Sequence, residues 1–227
     1  MSAVQGRMWL EWLEDGDTVR MQNVASARWT RTLGVRPSVC TITAPYVPGI
    51  PRLVTMVWKY GNRKYALHNC AVVKPSVRVE DSAMVTLQVL DPRWEWKEGY
   101  ISGRYNLRHP DGTIDTNTEK TPQELAAMLL LAIAEFGHDI SELPNDTRPE
   151  VEWDYARPAD ALDRLMHDLN CDIVLRLNGS YKIVPLGVGA ALPSGGRASS
   201  AVGWTDDTLP GSILSVGAPV EFQERFE

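Results

Sequence analysis

The sequence predicts an α+β protein, mainly β, with two short-to-medium helices. Three observations carry this. The first ninety of the 227 residues break into short strand-like runs separated by turn residues. Residues 121–136 hold a capped helical pattern with an apolar face. Residues 153–189 hold a second, shorter helix followed by an Asn-Gly hairpin.

The strand-like runs are TVRM (18–21), SVCTIT (38–43), RLVTMVWKY (52–60), KYALHNCAVV (64–73), VRVE (77–80) and AMVTLQVL (83–90). Turn residues punctuate them at Asp15-Gly16, at Pro48 to Pro51, at Gly61-Asn62 and at Lys74 to Ser76. Short strands at this spacing suggest an antiparallel sandwich or barrel. Side chains alternate across a strand, so Val85, Leu87 and Val89 share one face and are the predicted core side. Residues 91–120 are polar, aromatic and turn-rich, with one strand expected over 99–105 and loop on either side.

Thr121-Pro122-Gln123-Glu124 supplies an N-cap threonine, proline at the first helical position and glutamate at the third, a capping box. Leu125, Leu129, Ala132, Ile133 and Phe136 recur at helical spacing as one apolar face. Gly137 is the expected left-handed terminator, followed by a connector through residue 154. The second helix starts near Pro158. Leu162, Leu165, Met166 and Leu169 form its apolar stripe, expected to lie on the 172–185 hairpin. Asp160 and Asp163 complement the positive end of its dipole, and Asn170 is the expected C-terminal cap. Asn178-Gly179 centres the hairpin. Residues 187–203, rich in Gly, Ala and Ser, read as a flexible or extended loop. From Val220 the chain alternates: Val220, Phe222 and Phe226 share one face, and Glu221, Gln223 and Arg225 the other. It stops within this strand, so the expected neighbour is a partner's strand or a longer chain's continuation.

Composition narrows the chemistry. The net charge is −6 with acids and bases interspersed, which argues against a nucleic-acid surface. No run of about eighteen apolar residues predicts a membrane span. The first residues, MSAVQGRMWLEWLEDGD, do not read as a signal peptide, so the expected site of synthesis and assembly is a cytoplasm. Cys40, Cys70 and Cys171 are too widely spaced for a disulfide framework and read as buried thiols, and His68-x-Cys70 lacks structural-zinc spacing. The eight tryptophans are spread along the chain, which favours packing and subunit contacts over one binding cage. His68, His109, His138 and His167 show no nucleophile-and-base pattern. Alternating oxygen side chains from Asp111 to Glu119 lack the glycine and glutamate of a calcium loop and read as a polar turn. Glu95, Glu98, Glu150, Glu152 and Asp154 lie near tryptophans, a superficially sugar-like pairing.

An ordered series of elements carries a resemblance: WEWKEGYISGRYN (94–106), TPQELAAMLLLAI (121–133), WDYARPADALDRLMHDLNCDIVL (153–175), LNGSYKIVPLGVG (177–189), ALP (191–193) and PGSILSVGAPVEFQERF (210–226). In this order they resemble the baseplate hub, or tail-tip, proteins of tailed bacteriophages, over roughly residues 90–227. The resemblance implies a homotrimeric, hub-type ring subunit with two β-barrel-like domains. Its expected partners are the tail tube and distal tail proteins, the tape-measure protein and a central spike or receptor-binding protein, with DNA only in transit. The implied location is the tail tip of the virion.

On this reading residues 1–92 form a β-rich barrel or sandwich domain, 93–120 a connector with a strand, and 121–227 an α/β second domain completed by another segment or by residues beyond the chain. The chain is expected to be non-enzymatic, with no catalytic, cofactor-binding or metal-ligating residue. Subunit contacts are expected at Trp94, Trp96, Tyr100 and Tyr105 and at Phe222 and Phe226. Two other classes stay open on the residues alone: a tail-associated cell-wall hydrolase using carboxylates, and a β-rich carbohydrate-binding adhesion module.

Overall fold

Alternating burial along the first ninety residues produces one large antiparallel sheet. The computed structural model describes residues 6–60, 62–73, 78–79, 84–176, 179–186 and 222–226. The 187–203 loop, the 74–76 turn, Asn178 and Val220 lie outside them. The sheet holds β1 (Gly6–Glu14), β2 (Asp17–Met21), β3 (Ser26–Arg31), β4 (Val39–Pro45), β5 (Leu53–Tyr60), β6 (Arg63–Val72), β7 (Arg78–Val79), β8 (Met84–Leu90) and β14 (Phe222–Phe226). Its order is β14-β3-β4-β8-β6-β5-β1-β2, with β7 on β8.

The expected core face is correct, since Val85, Leu87 and Val89 are fully buried. The sheet curls on itself. Trp29 on β3 and Trp58 on β5 meet edge-on at 5.0 Å. Four strand steps separate β3 from β5 in the sheet order. Laid flat, those steps would span about 19 Å. The Cys40 thiol on β4 likewise comes within 3.9 Å of the Met8 sulfur on β1.

Two strands of this sheet were absent from the sequence reading, β1 and β3, and the last strand finds its neighbour within the chain. β14 pairs antiparallel with β3, from Phe222 opposite Arg31 to Phe226 opposite Ala27. It therefore extends the first sheet and does not complete the second half.

After β8, Asp91 caps a 3-10 helix (Pro92–Lys97) by accepting a bond from the Arg93 N–H. β9 (Ile101–Tyr105) pairs with β11 (Val151–Ala156), which lies inside the segment read as a connector. α1 (Pro122–Ala132) begins with the expected capping box: the Thr121 N–H donates to the Glu124 carboxylate at 2.8 Å, and the Glu124 N–H to the Thr121 hydroxyl at 3.1 Å. The helix ends earlier than expected. Ala134, not Gly137, takes the left-handed conformation, at φ +57°. The apolar face is consequently Leu125, Ala126, Leu129 and Leu130, while Phe136 is 73% exposed. α2 (Pro158–Asp168) buries Leu162, Leu165 and Met166, and Asn170 follows it in the left-handed region at φ +54°. α2 lies against α1 and β12. β12 (Cys171–Leu175) and β13 (Tyr181–Pro185) form the expected hairpin, and β10 (His138–Asp139) adds to β13 in parallel.

A buried ion pair ties the two halves together. Arg93 and Asp91 have fully buried side chains and lie 2.7 Å apart. Arg93 also donates to the carbonyls of Thr32 and Gly34 at 3.0 and 2.6 Å and to the Ser38 hydroxyl at 2.9 Å. Asp91 accepts from the Ser38 N–H at 2.7 Å. The loop so fixed reaches the second half, where the Gly34 N–H donates to the Ile173 carbonyl at 2.9 Å. Arg31 donates to the Leu175 carbonyl beside it.

Candidate functional site

The residues expected at subunit contacts do not share one environment. Trp96 is only 2% exposed, and its ring lies 4.7 Å from Tyr181. Trp96 thus joins the core, because the 3-10 helix turns it inward. Tyr105 is half-buried against Trp153 at 5.4 Å. Trp94 lies nearer the surface, donating its indole N–H to the Asn69 carbonyl at 2.9 Å with the Arg52 guanidinium 4.8 Å above its ring. Tyr100 is 69% exposed. Phe222 and Phe226 lie in β14, an edge strand of the large sheet.

Trp94 and Trp96 contribute to a cleft of about 270 Å³ between the 35–37 loop, the 3-10 helix and the start of α2. Val35, Pro37 and Leu90 supply its other apolar walls. Exposed Arg36, Lys97 and Arg157 carry its cations, and Asp160 offsets one of them. Arg93 also borders it, already neutralised by Asp91. Sequence reasoning missed this grouping because Arg36, Lys97 and Arg157 are far apart in the chain. The available signal was the proline beside Arg36 and Arg157, which places both in turns at element ends.

The titratable groups considered for catalysis stay apart. His68 contacts the Thr55 hydroxyl at 3.1 Å, His138 the Glu135 carbonyl at 3.1 Å, and His167 lies exposed beside Asp168. Burial pushes the Cys40 thiol up to about 12 and raises Cys70 further, so neither offers a thiolate at neutral pH. Asp111 accepts from the N–H and hydroxyl of Thr113, as a polar turn requires. Among the described residues, no group of three His, Cys, Asp or Glu side chains is placed to hold a metal.

One carboxylate lies behind the cleft. Burial pushes Asp172 above its ordinary value, and the nearby Asp163 carboxylate adds to the shift. Both acids approach Gly34, where a Cβ would meet their oxygens at 3.7 and 3.5 Å. A raised pKa means that the folded chain holds this proton more tightly than the unfolded chain. The ionised form at neutral pH therefore costs stability, and the cost vanishes as pH falls below the unfolded value near 4. Asp172→Asn, which keeps the oxygen accepting from the Ile173 N–H, should raise the melting temperature at pH 7. The gain should shrink in melts at successively lower pH, and no gain at pH 7 would contradict the assignment.

The chain is similar in fold to three solved structures. The tail protein from Neisseria meningitidis MC58 superposes with a TM-score of 0.53 over 79% of this chain and 50% of its own, at 10% identity. Prophage tail protein gp18 from Listeria monocytogenes EGD-e gives 0.53 over 82% and 53%, at 9% identity. The chain has the fold of phage tail proteins. A third tail protein, from prophage MuSo2 of Shewanella oneidensis, gives 0.50 over 82% and 55%, at 13% identity. The chain spans about half the length of these tail proteins. No protein-family model and no curated protein sequence matches it. At such identities the likeness concerns backbone architecture.

Proposed function

We propose that this chain is a non-enzymatic structural subunit of a bacteriophage tail tip. In this reading three copies form a baseplate hub that closes the distal end of the tail tube and joins it to the spike or receptor-binding apparatus. The curled nine-stranded sheet is the first barrel-like unit of each subunit. The second is built on β9 to β13 with α1 and α2. Alternating the two around a threefold axis gives a pseudo-sixfold ring, a shape that matches a hexameric tube and leaves a conduit for the tape-measure protein and DNA.

The observation that carries this reading is the tail-protein fold shared over about four-fifths of the chain. Electron cryo-microscopy of the intact particle, with this subunit labelled, tests it. The expected image is a threefold ring coaxial with the tube at its distal end. A label on the head, along the shaft or on a fibre would overturn the proposal. A purified monomer that clears peptidoglycan would replace it with the hydrolase reading.

A further inference from the structure

The cleft and the β1–β2 turn are complementary in charge, and neither meets its complement among the described residues. The turn is Leu13-Glu14-Asp15-Gly16-Asp17. Leu13, near the end of β1 just before the tip, is 75% exposed. Glu14, Asp15 and Asp17 are all exposed. Asp15 and Gly16 have φ of +52° and +90°, so the tip is a tight two-residue reversal that presents these side chains on a short stem. The cleft shows the converse chemistry: apolar walls from Val35, Pro37 and Trp94, and a rim of Arg36, Lys97 and Arg157. That is a local cationic group in a chain of net charge −6. Among the described residues, Glu14, Asp15, Asp17, Arg36 and Arg157 form no ion pair, and Lys97 has only a loose one to Glu98 at 3.8 Å.

The sheet register places both features at the same end of the strands. Leu90 pairs with Ala71, and Ala71 with Leu53. Glu11 of β1 pairs with Thr55, two residues from Leu53, so the β1–β2 tip projects beyond the row that Leu90 begins. Three strand steps lie between β8 and β1. Both features therefore lie at the same end of the strands.

We propose that the β1–β2 turn of one copy docks into the cleft of the next. Leu13 enters between Trp94 and the 35–37 loop, and Glu14 and Asp17 meet the Arg36, Lys97 and Arg157 cations. The contact is heterologous, each copy giving its turn to one neighbour and its cleft to the other. It deepens the ring reading above and rests on it.

Charge reversal tests the contact in the purified chain, by analytical ultracentrifugation at low salt. Asp15 is left alone, because its positive φ suits aspartate. Glu14→Lys/Asp17→Lys and Arg36→Glu/Arg157→Glu should each weaken self-association by about tenfold or more. An equimolar mixture of the two variants should recover the association that each lacks alone, because the turn of either variant meets a cleft of opposite charge on the other. Circular dichroism confirms that each variant is folded. Mixing Asp17→Cys with Arg36→Cys chains should give a disulfide-linked heterodimer on oxidation, with Asp146→Cys as the unlinked control. If the wild type associates while both reversals leave it unchanged, or the cysteines fail to link, the docking is wrong and the ring stands. A wild type that stays monomeric at every concentration overturns the ring reading and the docking with it.

Discussion

Replacing Leu165 with aspartate is expected to prevent folding. Leu165 lies at the centre of the α2 stripe and is 2% exposed, between Leu162 and Met166 in the shared core. Truncating such a leucine alone costs about 2–5 kcal/mol. An ionised carboxylate left there without a partner adds several kcal/mol more. The sum reaches the roughly 5–15 kcal/mol that stabilises a whole domain. Near-ultraviolet circular dichroism and tryptophan emission should show loss of fixed packing around Trp96 and Trp153. His167→Asp, two residues on and on the opposite side of the helix with its side chain 89% exposed, is the matched control. It should stay within about 1 kcal/mol of the parent. A folded Leu165→Asp chain with a near-parental urea midpoint would refute the packing of α2.

The second large effect is expected at Arg93. Its guanidinium is shared among the buried Asp91 and Ser38 and the carbonyls of the half-buried Thr32 and Gly34. Arg93→Ala leaves a buried carboxylate facing no cation and two carbonyls without donors. Breaking a buried pair in this way costs about 3–5 kcal/mol. For a chain of this size the melting temperature should drop by on the order of 10 °C. Arg93→Lys should recover only part of the loss, because one ammonium cannot reach the whole planar fork of acceptors. Asp91→Ala should cost a similar amount. The double variant should cost less than the sum, since the first change already destroys the pair. Strict additivity in urea melts would show that the two side chains act separately.

The elements legible in the sequence were those with one unmixed signal. β8 alternates cleanly, Thr121 to Glu124 spell out a cap, and Asn178-Gly179 brackets a hairpin. β1 was hidden because both its faces carry large apolar residues. Met8, Leu10 and Trp12 point inward, yet Trp9 and Leu13 on the other side blur the period of two. β3 has the opposite problem, with only Ala27 and Trp29 to mark its buried face. β11 buries Trp153 alone. Phe136 was placed on the α1 face by spacing, but Ala134 breaks the helix first, and no local residue preference announces a left-handed alanine. The cleft was illegible for a different reason. Arg36, Lys97 and Arg157 become neighbours only when the Arg93 network fastens the 32–38 loop, and a buried arginine inside a polar, aromatic stretch gives no periodic signal.

The pairing of β14 with β3 also has a consequence during synthesis. Phe226 lies opposite Ala27, so the two partners are about two hundred residues apart in the chain. A ribosome adding about 5–20 residues per second needs roughly 10–40 s to make that stretch. For all that time the outer edge of β3 offers unpaired N–H and C=O groups to any other nascent chain on the same message. Slowing elongation between the β3 and β14 codons should therefore lower the soluble yield, whereas slowing it before β3 should not.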